Sequence, residues 1–186
     1  IHSNSIDLSQ IDRVVISTTL TTNSVVQKKL DPVGIIVSAG PGIDPKNYKR
    51  GDNYHTVSGS IDHRGREISQ INRDEVKEAA KKMVKNGIKN VAIVCKFSTR
   101  NSKHELQIRD IIKDDFDSIF MGHRVSGNLN FPRRIATTYL NAAVINTHRN
   151  FFNAVTDTLT KKGLTAPIHI LKADGGTMSL PASMDF

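Results

Sequence analysis

Cysteine occurs once in these 186 residues and tryptophan not at all. A single cysteine excludes an internal disulfide framework and a cysteine-based zinc site. That residue, Cys95, closes the apolar run Val91-Ala92-Ile93-Val94, so it reads as a buried strand thiol rather than a nucleophile. Long apolar runs are missing as well. No stretch approaches the roughly 20 apolar residues of a membrane span, and residues 1–16 lack a signal peptide's cationic start and apolar middle. The expectation is a cytoplasmic protein without membrane contact. Aromatic residues make up only 5% of the chain, which bears on its formal charge of +8. The basic pairs Lys28-Lys29, Lys81-Lys82, Arg133-Arg134 and Lys161-Lys162 are scattered. With neither a basic stripe nor stacking residues, nucleic acid is not an expected partner. The excess charge is equally suited to an acidic segment or subunit. Finally, there is no GxxxxGKS/T loop, GxGxxG turn, GxSxG elbow or HExxH pair, so the familiar nucleotide, hydrolase and metalloprotease fingerprints do not apply.

What is present is ordinary for a globular chain: 38% hydrophobic and 24% charged residues, at a length that suits one domain or one lobe of a larger protein. Arg13 to Ser17 and Val33 to Ser38 read as strands, with a loop and a short helix between them. The second strand runs into the breaker cluster Ala39-Gly40-Pro41-Gly42. Residues 44–70 are polar and rich in turn formers, and Tyr54, Val57 and Ile61 suggest a hairpin around Asp62-His63-Arg64-Gly65. Asn72 and Glu75 form a capping box ahead of a helix whose apolar face is Val76, Ala79, Ala80, Met83 and Val84, stopped by Gly87. Ser102 and Glu105 repeat that pattern before a second helix, with Leu106, Ile108, Ile111 and Ile112 as its buried side. Strands are expected at Val91 to Cys95 and at Ser118 to Met121. This alternation predicts an α/β fold, a layered and mainly parallel sheet with flanking helices, in which those two strands are adjacent and parallel. Pro132 opens a helical pattern free of Pro and Gly up to Lys162. At about 30 residues that is long for a globular helix, so a break is expected near Asn146 to Asn150. Pro167 to Leu171 is a last strand.

Directly after it comes Asp174-Gly175-Gly176-Thr177. Two glycines let backbone amides approach phosphate oxygens, Thr177 adds a hydroxyl donor, and an aspartate beside phosphates holds a metal ion or orients water. The plainer reading is a tight turn. Thr18-Thr19-Leu20-Thr21-Thr22-Asn23 also follows a strand and can line a cleft mouth, or simply cap the next helix. The connector Gly122 to Arg134 packs a His, three Arg, a Ser and two Asn, a polar density that suits a substrate-facing loop. His123 and Arg134 are its candidates for catalysis. His55 and His63 with Asp52 and Asp62 form a weaker candidate for a metal.

Read in order, STTLTTNSVV, VAIVCKFSTRNSKHEL, GHRVSGNLNFPRRIATTYLNAAV and ILKADGGTMSL resemble the large subunit of the hydantoinase/oxoprolinase family, ATPases of actin-like, ribonuclease H-like fold. The family includes ATP-dependent hydantoinases, 5-oxoprolinases and ketone carboxylases. The resemblance implies ATP and Mg2+ as cofactors, a cyclic amide such as a hydantoin or 5-oxoproline as substrate, and a second subunit of the same enzyme family, with homo-oligomers also possible. It implies catalytic roles for Asp174, Arg134 and His123, with Asp174 also the metal ligand. Nucleotide contacts fall to Gly175, Gly176, Thr177, Thr18, Thr19 and Asn23. The family's first phosphate loop, of DxGGTxTD type, has no counterpart, and the chain stops at Phe186 before the glycine-rich adenosine contact. A fragment, inactive by itself, is therefore expected. It divides into the end of a first subdomain (1–43), an irregular hairpin region (44–70), an α/β subdomain (71–131), and the long helix with the second phosphate-loop strand (132–186). Two departures stand out. Many hydantoinase subunits have Asn-Gly-Gly where this chain has Asp174-Gly175-Gly176, and Glu-Arg where it has Arg133-Arg134. A ketone carboxylase, a sugar-kinase-like phosphotransferase and a non-enzymatic binding domain remain alternatives.

Overall fold

The computed structural model describes residues 7–184. In chain order the elements are β1 (Val14–Ile16), α1 (Leu20–Val26), β2 (Val33–Ser38), β3 (Asn53–Thr56), β4 (Ser60–Ile61), β5 (Glu67–Ser69), α2 (Arg73–Lys85), β6 (Asn90–Cys95), α3 (Lys103–Ile112), β7 (Ser118–Met121), α4 (Gly122–Val125), α5 (Phe131–Lys161), β8 (Ile168–Leu171) and β9 (Thr177–Ser179). They form two compact units. Residues 7–28 with 145–184 make one, and residues 29–144 make the other.

The second unit carries a four-stranded sheet in the order β3-β2-β6-β7, with every neighbouring pair parallel. As the alternation predicts, β6 and β7 lie side by side, Asn90 opposite Ser118 and Ile93 opposite Met121. All residues of β2 and β6 are buried, because helices cover both faces of a parallel sheet and leave no polar side to alternate with. Gly34 is needed there for close approach: a Cβ on it would lie 2.1 Å from the sulfur of Met83, on the apolar face of α2. Burial of Val76, Ala79, Ala80 and Met83 from α2 and of Ile108 and Ile112 from α3 completes the core.

Several local expectations need correction. Asn72 Oδ1 does cap α2, accepting from the amides of Asp74 and Glu75. The bond from the Asn72 backbone amide to Glu75 is absent because that amide donates to the Ser58 carbonyl, and Asn72 reaches Glu75 Oε1 through its side-chain Nδ2 at 3.1 Å instead. The Glu75 carboxylate also accepts from the Ser58 amide and hydroxyl. At α3 the side chain of Ser102 makes no cap bond, and Glu105 turns inward. Tyr54 belongs to no hairpin. It lies on β3, opposite Ile35 in parallel pairing, and the hairpin is confined to β4 and β5, which flank the expected Asp62–Gly65 turn.

The expected break in α5 does not occur; the helix runs 31 residues from Phe131 to Lys161. Sharp kinks need Pro, Gly or an inserted group, and this stretch offers none after Pro132. His148, inside the suspected break, packs its ring 4.8 Å from that of Phe152 and bonds Ser183 Oγ at 3.0 Å. Residues up to 144 of α5 belong to the second unit and the remainder to the first. In the first unit β8 pairs with β1 in parallel and with β9 in antiparallel fashion. No helix of the described residues is long and apolar enough to cross a membrane.

Candidate functional site

The first unit holds the nucleotide-contact candidates together. Parallel pairing sets Ile16 opposite Ile170, so β1 and β8 discharge their next residues, Ser17-Thr18-Thr19 and Lys172 to Gly176, at the same edge of the sheet. That edge, beyond the carboxyl ends of parallel strands, is where α/β sheets bind ligands. Thr18 Oγ1 accepts from the Leu20 amide at 3.1 Å, and Thr19 accepts both from the Asn23 amide, at its carbonyl, and from Asn23 Nδ2, at its hydroxyl. Thr18 thus caps the first turn of α1 through its side chain, while the hydroxyl protons of Thr18 and Thr19 stay available.

Asp174 to Gly176 form the turn of the β8–β9 hairpin, and β9 begins at Thr177. Gly175 has φ +82°, a left-handed conformation that favours glycine, and a Cβ there would meet nothing within 4 Å. The glycine amides are not bare. Gly175 N donates to Lys172 O, and Gly176 N donates to Asp174 Oδ1 at 2.9 Å. Lys172 Nζ holds the other oxygen of Asp174 at 2.9 Å, and that hydrogen bond, with the one from Gly176, keeps the exposed Asp174 carboxyl below the usual carboxylate range. Lys172, which sequence reasoning passed over, is therefore the cation of this turn. Among the described residues no three His, Cys, Asp or Glu side chains gather at a metal-binding point. The His55, His63, Asp52 and Asp62 grouping is accordingly not assembled; the Asp62 carboxylate is occupied by the amides of Arg64 and Arg66 and by the Arg66 guanidinium.

His123 and Arg134 lie in the second unit, at the carboxyl ends of β6 and β7. Arg134 does not face a cleft as expected. It is fully buried, donating from Nη1 to Asn128 O and from Nη2 to Cys95 O, both at 2.8 Å, and at 3.4 Å to Ser98 Oγ. Burial pulls its guanidinium below the usual arginine range, and the nearby Glu105 carboxylate opposes that shift. Arg134 thus ties the end of β6 to the start of α5. His123 is partly exposed, and its Nδ1 meets Glu105 Oε2 at 2.5 Å. Cys95 is buried, and burial, with Glu105 adding to it, raises its thiol well above the ordinary range. It is the strand thiol expected, not a nucleophile.

Glu105 is the residue that sequence reasoning placed wrongly. A signal was available, since Glu105, Ile108 and Ile112 follow helical spacing and all three are buried.

Residues 1–116 match the hydantoinase/oxoprolinase N-terminal region. The chain belongs to the hydantoinase/oxoprolinase family. Within reach of this family region is protein MJ0964 of Methanocaldococcus jannaschii, described as uncharacterised, which is 25% identical over 97% of the chain and 30% of its own length. The acetophenone carboxylase gamma subunit of Aromatoleum aromaticum is 23% identical over 68% of the chain and 19% of its own. Two solved structures share the fold. Nucleotide-free acetone carboxylase matches with a TM-score of 0.79 at 20% identity, covering 95% of this chain and 29% of that one. The ATP-dependent caprolactamase from Pseudomonas jessenii matches with a TM-score of 0.77 at 19% identity, covering 91% and 28%. This hydantoinase/oxoprolinase chain therefore spans about 30% or less of the length of these relatives.

Proposed function

We propose that the chain supplies part of the phosphate-handling lobe of a cytoplasmic, ATP-dependent enzyme that opens cyclic amides. The observation that carries this reading is the shared edge of β1 and β8, where the threonine-rich cap of α1 and the Asp174-Gly175-Gly176 turn emerge side by side. In such a reaction the amide oxygen is phosphorylated, converting a poor leaving group into a good one, and the protein's share is positioning and charge stabilisation. Asp174 and Lys172 hold each other until ligand arrives. A magnesium ion drawn to Asp174 would take its remaining ligands from phosphate oxygens and water, as this cation commonly does. Turning Asp174 toward the cation frees two donors for phosphate, the Gly176 amide and the Lys172 ammonium. A second subunit of the same family would complete the enzyme.

A carboxylase is the second reading, favoured by the likeness to the acetophenone carboxylase gamma subunit. The two are separated in the intact enzyme by measuring which compounds stimulate ATP turnover: cyclic amides in the first case, ketones with bicarbonate in the second. The phosphate reading itself fails if Asp174→Asn leaves both nucleotide affinity and turnover unchanged in a folded protein.

A further inference from the structure

The Glu105–His123 contact takes no part in that proposal, and it borders a cavity. Glu105 is fully buried. Its Oε1 accepts from the Cys95 amide at 2.8 Å, and its Oε2 accepts from the amide of His123 at 2.9 Å and from Nδ1 at 2.5 Å. Because both Glu105 oxygens already accept backbone N–H groups, we assign Nδ1 as the donor in this contact, which fixes the ring in one orientation and leaves Nε2 to other partners. Among the described residues no protein group bonds that nitrogen.

His123 lines a cavity of about 250 Å³ with Ser98, Thr99, Arg100, Ser102 and Gly127. No acidic side chain is in this lining, and its polar groups are suited to donate. Thr99 Oγ1 is one of the shielded polar atoms that has no hydrogen-bond partner, and beside this cavity a bound ligand or water would satisfy it. Ser98 is only 2% exposed, and its oxygen accepts from the buried Arg134, which leaves the hydroxyl proton free to be given elsewhere. Ser102 sits at the start of α3 with no side-chain cap bond. Phe97, immediately before Ser98, is held at φ +62°, a strained conformation for a non-glycine residue that surrounding structure must maintain.

We propose that this cavity is a binding site for a small oxyanion, the phosphoryl or carboxylate group of a small molecule, with Glu105 as the positioning residue that presents His123 Nε2 to it. Arg100 supplies charge, the three hydroxyls supply hydrogen bonds, and Nε2 meets the anion's own hydroxyl or, once protonated, one of its oxygens. The site is independent of the β8–β9 hairpin and of the nucleotide reading.

The test is titration of the chain with inorganic phosphate and, separately, with acetate, following the NMR resonances of the His123 ring and of the Ser98, Thr99 and Ser102 amides. Saturable shifts with a Kd on the order of 1 mM are expected for at least one probe. A response to phosphate alone identifies a phosphoryl ligand, and one to acetate alone a carboxylate ligand. Thr99→Val removes no protein hydrogen bond, so it should keep the fold and weaken binding about tenfold. His123→Asn retains a donor toward Glu105, lacks Nε2, and should abolish the shifts. Glu105→Gln can donate to Nδ1, and in a folded variant it should invert the His123 tautomer seen in the ring nitrogen shifts. An unchanged tautomer there removes Glu105 from its positioning role. The absence of saturable shifts with both probes, or undiminished affinity in Thr99→Val and His123→Asn, overturns the site.

Discussion

In the sheet of residues 29–144, all residues of β2 and β6 are buried, whereas β1 leaves Val15 43% exposed and β8 leaves Leu171 42% exposed. Each sheet carries candidate chemistry at the carboxyl ends of parallel strands, yet the two are built differently. The buried sheet positions its groups through side chains locked to one another, Glu105 to His123 and Arg134 to the carbonyls of Asn128 and Cys95. The exposed sheet relies on backbone: a hairpin turn with a glycine at φ +82° and a helix cap. Polar groups inside a core are costly unless fully partnered, so a site made of them is rigid and coupled to stability. A turn open to water carries its charges cheaply and can rearrange around a ligand.

That contrast is open to direct test. The largest effect is expected from Arg134→Ala, which removes the donor to Asn128 O, Cys95 O and Ser98 Oγ and leaves a void where a fully buried side chain stood. It should cost about 3 kcal/mol or more in urea unfolding. A loss near zero would show that Arg134 is not the tie we describe. Next, Ile93→Ala in β6 should destabilise by about 2–5 kcal/mol and Val15→Ala in β1 by about 0.5 kcal/mol; comparable losses in the two melts would erase the distinction between the sheets. Gly175→Val should cost about 1–3 kcal/mol through left-handed strain alone, since its side chain meets no neighbour. In the intact enzyme it should also collapse nucleotide affinity in calorimetric titration. Asp174→Asn should leave the melting temperature in place and lower turnover more than binding, in contrast to Arg134→Ala. The smallest effect concerns alkaline pH. Burial, reinforced by Asp44, pushes the Tyr54 hydroxyl up to about 12, and the group donates to Pro45 O at 2.7 Å. Because the folded value lies above the unfolded one near 10, the stabilisation is complete below about pH 10 and is lost as pH rises toward about 12. An ultraviolet titration should give Tyr54 that raised midpoint, and Tyr54→Phe should flatten the alkaline loss of stability.

Much of the architecture follows from local signals. The runs Val33 to Ser38 and Val91 to Cys95 admit no polar face, which fits only strands covered on both sides. Asn72, Gly87 and the spacing of Val76, Ala79, Ala80 and Met83 bound α2 within a residue or two, and Asp62 to Gly65 marks a hairpin turn. The order of four blocks along the chain carries the family. The strand, helix and turn signals depend on neighbours within a few residues, so composition and spacing suffice to specify them.

What the chain could not reveal by itself involves partners far apart in sequence. The β1–β8 pairing, which sets Ile16 opposite Ile170, joins distant parts of the chain. At Asn72 the backbone half of the capping box gives way to a side-chain bond, because Ser58 takes the Asn72 backbone amide and shares the Glu75 carboxylate. Glu105 and Arg134 look like surface residues by type, and only the packing of α3 and α5 against β6 puts both inside, where burial makes hydrogen-bonding partners necessary; Arg134 finds them for Nη1 and Nη2 but not for Nε. A charged residue's sequence neighbours set where a helix begins; whether that residue faces water or the core is decided by what the helix packs against.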